Sequence, residues 1–106
     1  MRIPVFYTLT LNPSLDISCR MSRLVFDDIN RIGKKRVDPG GKGVNVSRML
    51  AAFGDRTVPV GFFGGHPGKI CLDLLSASGI RGVKSVPIRE ETRTIHNFFL
   101  TTAPLP

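Results

Sequence analysis

The sequence predicts an α/β fold built on a parallel sheet. Three observations carry that reading. Strand-like and helix-like periodicities alternate along the chain in the order strand, helix, strand, helix, strand. A glycine-rich turn, Asp38–Ser47, stands where an extended segment gives way to an amphipathic run. Two half-polar extended segments follow the first strand, too polar for a sheet centre, and read as a flap outside the core.

The chain has 106 residues, enough for one small domain, and its 42% hydrophobic content permits a packed core. The formal net charge is +7. The basic residues are scattered except at Lys34-Lys35-Arg36, and one Tyr with no Trp offers little for base stacking, so no nucleic-acid partner is expected. Cys19 and Cys71 lie far apart without metal-ligand spacing and read as free thiols of a reducing compartment. No leader is recognised, and no apolar run reaches the ~20 residues of a membrane span. A cytoplasmic location and no membrane partner are expected.

Val5–Leu11 alternates with β-branched and aromatic residues, and its near-continuous apolarity predicts a strand buried on both faces. Asn12-Pro13-Ser14 ends it with turn chemistry. Asp16 follows directly, where ligands sit in α/β sheets; it reads either as a ligand contact or as a turn cap. Ile17–Leu24 and Arg31–Val37 are the flap strands, able to cover a site or simply to form a surface hairpin. Past Pro39-Gly40-Gly41, a helix is predicted from Lys42–Val44 onward. Its inward face is read as Val46, Met49, Leu50 and Phe53, and Gly54 closes it. Asn45 then falls near the first turn, facing a ligand or bonding local backbone.

Thr57–Phe63 is a second core strand, with Pro59 predicting a bulge or an edge position. Residues 64–68 read as a loop, Lys69–Ser78 as a second helix closed by Gly79, and Val83–Ile88 as a third strand. Thr92–Thr101 is extended, with Arg93 near its start as either a phosphate contact or a solvated surface residue. The last five residues form a proline-broken tail. His66 and His96 lack partners at catalytic spacing and receive no role, the first as a loop residue and the second as a strand residue.

The glycine turn can bring backbone amides close to an anion at a helix start, with Lys42 adding a mobile charge. It is not a Walker loop, because Lys42 is followed by Gly43 and no Ser or Thr is placed for magnesium. Nor is it a dinucleotide fingerprint.

Five motifs in order carry a resemblance. They are Thr-Leu-Thr-Leu-Asn-Pro-Ser-Leu-Asp ending at Asp16, then Asn30-Arg31, then Pro-Gly-Gly-Lys-Gly-Val-Asn-Val ending at Val46. Gly61-Phe62-Phe63-Gly64-Gly65 and Glu91-Thr92-Arg93 complete the set. Over nearly all of residues 5–101 the chain resembles the PfkB/ribokinase superfamily of carbohydrate kinases, closest to 1-phosphofructokinase and tagatose-6-phosphate kinase. The resemblance implies part of a ribokinase-like doubly wound parallel sheet with part of a β-sheet lid. One truncated domain is expected, with its core at about 1–15 and 40–90 and lid segments at about 16–39 and 92–102. It implies ATP-dependent phosphorylation of a hexose phosphate, fructose 1-phosphate or tagatose 6-phosphate, with Mg²⁺. Asp16 and Asn45 would bind sugar hydroxyls, Gly40 and Gly41 would let the sugar lie on backbone, and Lys42 and Arg93 would hold its phosphate. The lid strands would also be the contact of a homodimer.

The family's catalytic Asp stands in a Gly-Ala-Gly-Asp motif near the C-terminal end of a several-fold longer chain, close to the ATP pocket. No such motif occurs here. The chain is therefore expected to supply the sugar-phosphate-binding half, with no catalytic residue, no metal ligand and no proper ATP or Mg²⁺ site, and to be inactive alone. The alternative is a non-catalytic sugar-phosphate-binding or self-associating remnant.

Overall fold

The computed structural model describes residues 3–101. Eight elements follow in order: β1 (Val5–Thr10), β2 (Ser14–Met21), β3 (Lys34–Gly40), α1 (Lys42–Ala52), β4 (Arg56–Phe63), α2 (Gly65–Ala77), β5 (Lys84–Pro87) and β6 (Arg93–Leu100). They form two three-stranded sheets. Sheet A has the order β1-β4-β5, all parallel. Sheet B has the order β3-β2-β6, with β3 antiparallel and β6 parallel to β2. The predicted α/β class and the separate flap are both present, and the flap acquires β6 as its third strand. The predicted tail beyond Thr101 lies outside the described residues.

One core holds the elements together. Leu15 of β2, Val44 of α1, Phe63 of β4, Cys71 and Leu75 of α2, and Ile80 are buried against one another. Both helices end in the same way. Gly54 and Gly79 take left-handed conformations, with φ of 86° and 85°. After α1, Gly54 N–H donates to Ala51 O at 3.0 Å and Asp55 N–H to Leu50 O at 3.0 Å; after α2, Gly79 N–H donates to Ser76 O at 3.1 Å and Ile80 N–H to Leu75 O at 3.3 Å. These paired bonds close the free carbonyls of each helix, and at α2 they carry Ile80 back onto Leu75 in the core.

Several expectations are corrected. β1 is an edge strand with one open face: Tyr7 is 66% and Leu9 63% exposed, not buried on both sides. That face continues across Val58 and Val60, their partners on β4, to Val86 of β5. Only the opposite face, which carries Thr8 and Thr10, receives α1. β2 begins at Ser14, so Asp16 lies inside a strand and not after one. β4 is the central strand despite Pro59, whose side chain is fully buried. Pairing with β5 begins only at Val60, so Pro59 has no ladder partner on the β5 side, where a missing donor is tolerable. α2 begins at Gly65, so residues 65–68 and His66 are helical; Pro67 occupies the first turn, where its absent N–H costs nothing. His96 lies in β6 as expected.

The inward face of α1 also differs from its periodicity. Val46, Met49 and Phe53 are exposed, and the buried residues are Val44 and Ser47. Small side chains let the helix approach β1 and β4 closely. There the Ser47 hydroxyl lies 2.6 Å from Thr8 Oγ1 and 2.7 Å from Thr57 Oγ1. This ladder of three hydroxyls outweighs the apolar stripe in orienting the helix. Truncation of Ser47 strands the buried Thr57 hydroxyl, which costs roughly 1–3 kcal/mol. Urea denaturation of Ser47→Ala is expected to show a loss in this range at unchanged slope; a loss below about 0.5 kcal/mol would refute the ladder's role.

Candidate functional site

The end of β3 and the start of α1 meet the root of β2 and β6 in one corner. Asp16, in β2, is half-buried, and its Oδ1 accepts from Ser14 Oγ at 2.6 Å. Gly40 ends β3 opposite Ser14. A Cβ at position 40 would overlap Asp16 Oδ2 and stand 2.7 Å from Ser14 Oγ, so the lack of a side chain keeps the carboxylate accessible. Gly41 has φ 114° and caps α1 without any side-chain hydrogen bond. A Cβ there would lie 2.7 Å from Thr10 Cγ2. Strand therefore passes to helix in a single residue that only glycine adopts without strain.

Lys42 is the first residue of α1 and is exposed. Asn45 lies one turn in and is also exposed; its backbone N–H donates to Gly41 O at 2.8 Å. Arg93 opens β6 beside Ser14, on the same face of sheet B as Asp16, and donates from Nη2 to Asn12 O at 3.2 Å. The structure thus brings Asp16, Gly40, Gly41, Lys42 and Arg93 to one corner. Asn45 stands further along the helix, beside Arg48 and Met49.

The electrostatics single out Asp16. Asp38 lies directly opposite it on β3. Arg36 Nε binds Asp38 at 2.9 Å and Arg48 Nη2 at 3.2 Å, while Arg48 Nη1 also donates to Pro39 O. Asp16 belongs to no ion pair among the described residues. The arginines bind one carboxylate of the facing pair and leave the other without a cationic partner among the described residues, with accepting capacity for hydroxyl donors.

Sequence reasoning missed Ser14, Asp38, Arg48 and Thr10. The Thr10 hydroxyl is buried without a partner beside Gly43, on the underside of the same turn. Ser14 and Asp38 are set by strand register and Arg48 and Thr10 by the packing of α1, which a linear reading cannot supply. Among the described residues no three side chains of His, Cys, Asp or Glu gather as metal ligands. No described helix is long and apolar enough to cross a membrane.

A parallel sheet joined to a second, strand-only sheet through a glycine turn agrees with the ribokinase-like fold that the resemblance implies. The chain belongs to the PfkB family of carbohydrate kinases, whose model matches residues 9–104. It is similar to phosphofructokinase-2 from Escherichia coli, solved in complex with fructose-6-phosphate, at 29% identity and a TM-score of 0.82 over 90% of this chain and 31% of that one. It is similar as well to a protein described as a possible 1-phosphofructokinase from Thermotoga maritima, at 32% identity and a TM-score of 0.84 over 93% of this chain and 32% of the other. The tetrameric inhibited form of the Escherichia coli enzyme matches at 28% identity and a TM-score of 0.82, over 93% of this chain and 32% of that one. The chain spans about a third of the length of these structures.

Beneath the corner lies Cys71, fully buried on α2, with Sγ donating to Ser14 O at 3.3 Å. Burial first, and the Asp16 charge second, push its thiol up from 9.0 to about 11. A group whose pKa rises on folding contributes stability in full below its unfolded value and loses it as pH climbs to the folded one. The contribution is on the order of 2–3 kcal/mol and disappears between about pH 9 and pH 11. Denaturation of the parent and of Cys71→Ala at pH 8 and pH 11 is expected to show the larger decline in the parent. Equal declines would show that the thiolate is no burden to the fold.

Proposed function

We propose that these residues form the acceptor half of an ATP-dependent kinase for a hexose phosphate, fructose 1-phosphate or tagatose 6-phosphate. PfkB kinases use ATP and Mg²⁺. The single observation that carries the reading is the uncompensated Asp16 carboxylate facing a position where only glycine fits. Asp16 accepts hydrogen bonds from sugar hydroxyls, and Asn45 binds another. Gly40 and Gly41 let the sugar rest on backbone at the start of α1, where free amides favour anions. Lys42 and Arg93 hold the phosphate the substrate already carries. The fructose-6-phosphate complex of the phosphofructokinase-2 relative supports a sugar phosphate as ligand.

The proposed organisation is one domain, with its core at about 1–15 and 40–90 and a lid at about 16–39 and 92–102. The lid strands are the proposed homodimer contact, and the cytoplasm is the proposed compartment. The base that would activate the acceptor hydroxyl and the groups that would hold nucleotide and Mg²⁺ are assigned to no residue of this chain. Positioning and electrostatics supply nearly all of phosphoryl-transfer catalysis, so this half binds and does not turn over.

Calorimetry with fructose 1-phosphate and tagatose 6-phosphate is expected to show saturable binding, weakened about tenfold or more in Lys42→Ala and in Arg93→Ala. Undiminished binding in both variants would remove the phosphate assignment. Phosphorylation of either sugar by the pure chain with MgATP, abolished in Asp16→Ala, would overturn the inactivity.

A second reading, self-association without catalysis, draws support from two exposed apolar surfaces: the open face of sheet A, and the outward stripe of α1 carrying Val46, Met49 and Phe53. Sizing at several concentrations is expected to show growth with concentration, reduced by Tyr7→Thr with Leu9→Thr. A concentration-independent monomer would refute it.

A further inference from the structure

We propose that the far end of sheet B is a second anion site, for a phosphate-bearing organic molecule, built on Arg20 and Lys34. The β2–β3 register sets Arg20 directly opposite Lys34 and Ser18 opposite Arg36. On the other side of β2, Phe99 of β6 lies beside Arg20 and Asn97 beside Ser18. Alternation along the strands puts all six on the face that bears Asp16. A groove of about 370 Å³ is lined there by Ser18, Arg20, Lys34, Arg36, Asp38 and Phe99, with Lys35 as a further cation. That is the size of a small-molecule pocket.

The charge in the groove is unbalanced. Four cations line the groove with one carboxylate, and that carboxylate, Asp38, is already shared by Arg36 and Arg48. Neither Arg20 nor Lys34 belongs to an ion pair among the described residues. Like charges directly opposite in an antiparallel pair destabilise the sheet. An anion between the two removes that repulsion and gains charge-assisted hydrogen bonds from both. The backbone holds the pair in place: Gly33 N–H donates to Arg20 O at 2.8 Å and Thr101 N–H to Met21 O at 3.0 Å. The Phe99 ring gives the groove an apolar flank for the organic part of the ligand.

The site is separate from the corner around Asp16. Arg20 lies four residues further along β2, about 13 Å at the rise of a strand, too far for one phosphate to engage both. The inference is independent of the sugar-phosphate reading, and its test reads the two places separately.

The test is amide NMR of the whole chain titrated with inorganic phosphate and with phenyl phosphate, ionic strength being held constant with sodium chloride. Saturable shifts are expected at Ser18, Arg20, Lys34 and Phe99, distinct from any at Gly40–Lys42. The double variant Arg20→Ser with Lys34→Ser is expected to bind at least tenfold more weakly at the groove while shifts at Gly40–Lys42 persist. Both side chains are exposed, and the spectrum of the variant reports its fold directly. In thermal melts at low salt, phosphate is expected to raise the melting temperature of the parent more than that of the variant. Shifts that grow linearly without saturating, or equal affinity in parent and variant, would overturn the site. Tighter binding of phenyl phosphate than of inorganic phosphate, with the difference lost in Phe99→Ala, supports an organic occupant; equal binding of the two overturns that part.

Discussion

Everything in this molecule depends on how the chain leaves β3. Between Pro39 and Lys42 it must stop being a strand of one sheet and become a helix packed on another. Gly40 permits this because a side chain there would collide with Asp16, and Gly41 because its φ of 114° suits no other residue well. With that corner made, α1 reaches β1 and β4 through the hydroxyls of Thr8, Ser47 and Thr57. The two sheets then share one core, in which Leu15 of the lid root touches the same cluster as Phe63 and Leu75. The constraint that shapes the site is thus also the constraint that joins the sheets.

The corner explains why two facing aspartates behave differently. Asp16 and Asp38 are cross-strand neighbours, an arrangement that costs energy unless one charge is neutralised. Arg36 reaches Asp38 along its own strand, and Arg48 reaches it from α1. The helix that supplies the glycine turn therefore also supplies the counter-charge. Beneath Asp16, Cys71 holds its proton more tightly, through burial first and the neighbouring Asp16 second.

The element order, the parallel sheet, the lid strands and the glycine corner were legible in the sequence, because each rests on local chemistry. Glycine and proline mark turns, periodicity marks strands, and five motifs in order mark a family. What escaped depends on partners distant in sequence. The helix α1 shows an apolar stripe at Val46, Met49 and Phe53, yet it buries Val44 and Ser47, since a close approach to β1 favours small residues and hydroxyl pairing. Pro59 reads as an edge residue but sits in the central strand, because β5 begins its pairing one residue later. Val5–Leu11 reads as doubly buried and is covered on one face only. Arg20 and Lys34 look like scattered surface charge until the register sets them side by side.

The pairing of β2 with β6 also imposes an order in time. Ser14 and Arg93 are neighbours in space but stand near opposite ends of the described chain. As the polypeptide emerges from the ribosome, the glycine corner, both helices and the whole of sheet A are available before Arg93 can take its place. Contacts that span so much sequence form late, because a long loop must close first. The corner is therefore assembled before β6 joins sheet B, and β6 brings with its first residue the arginine that settles beside Ser14.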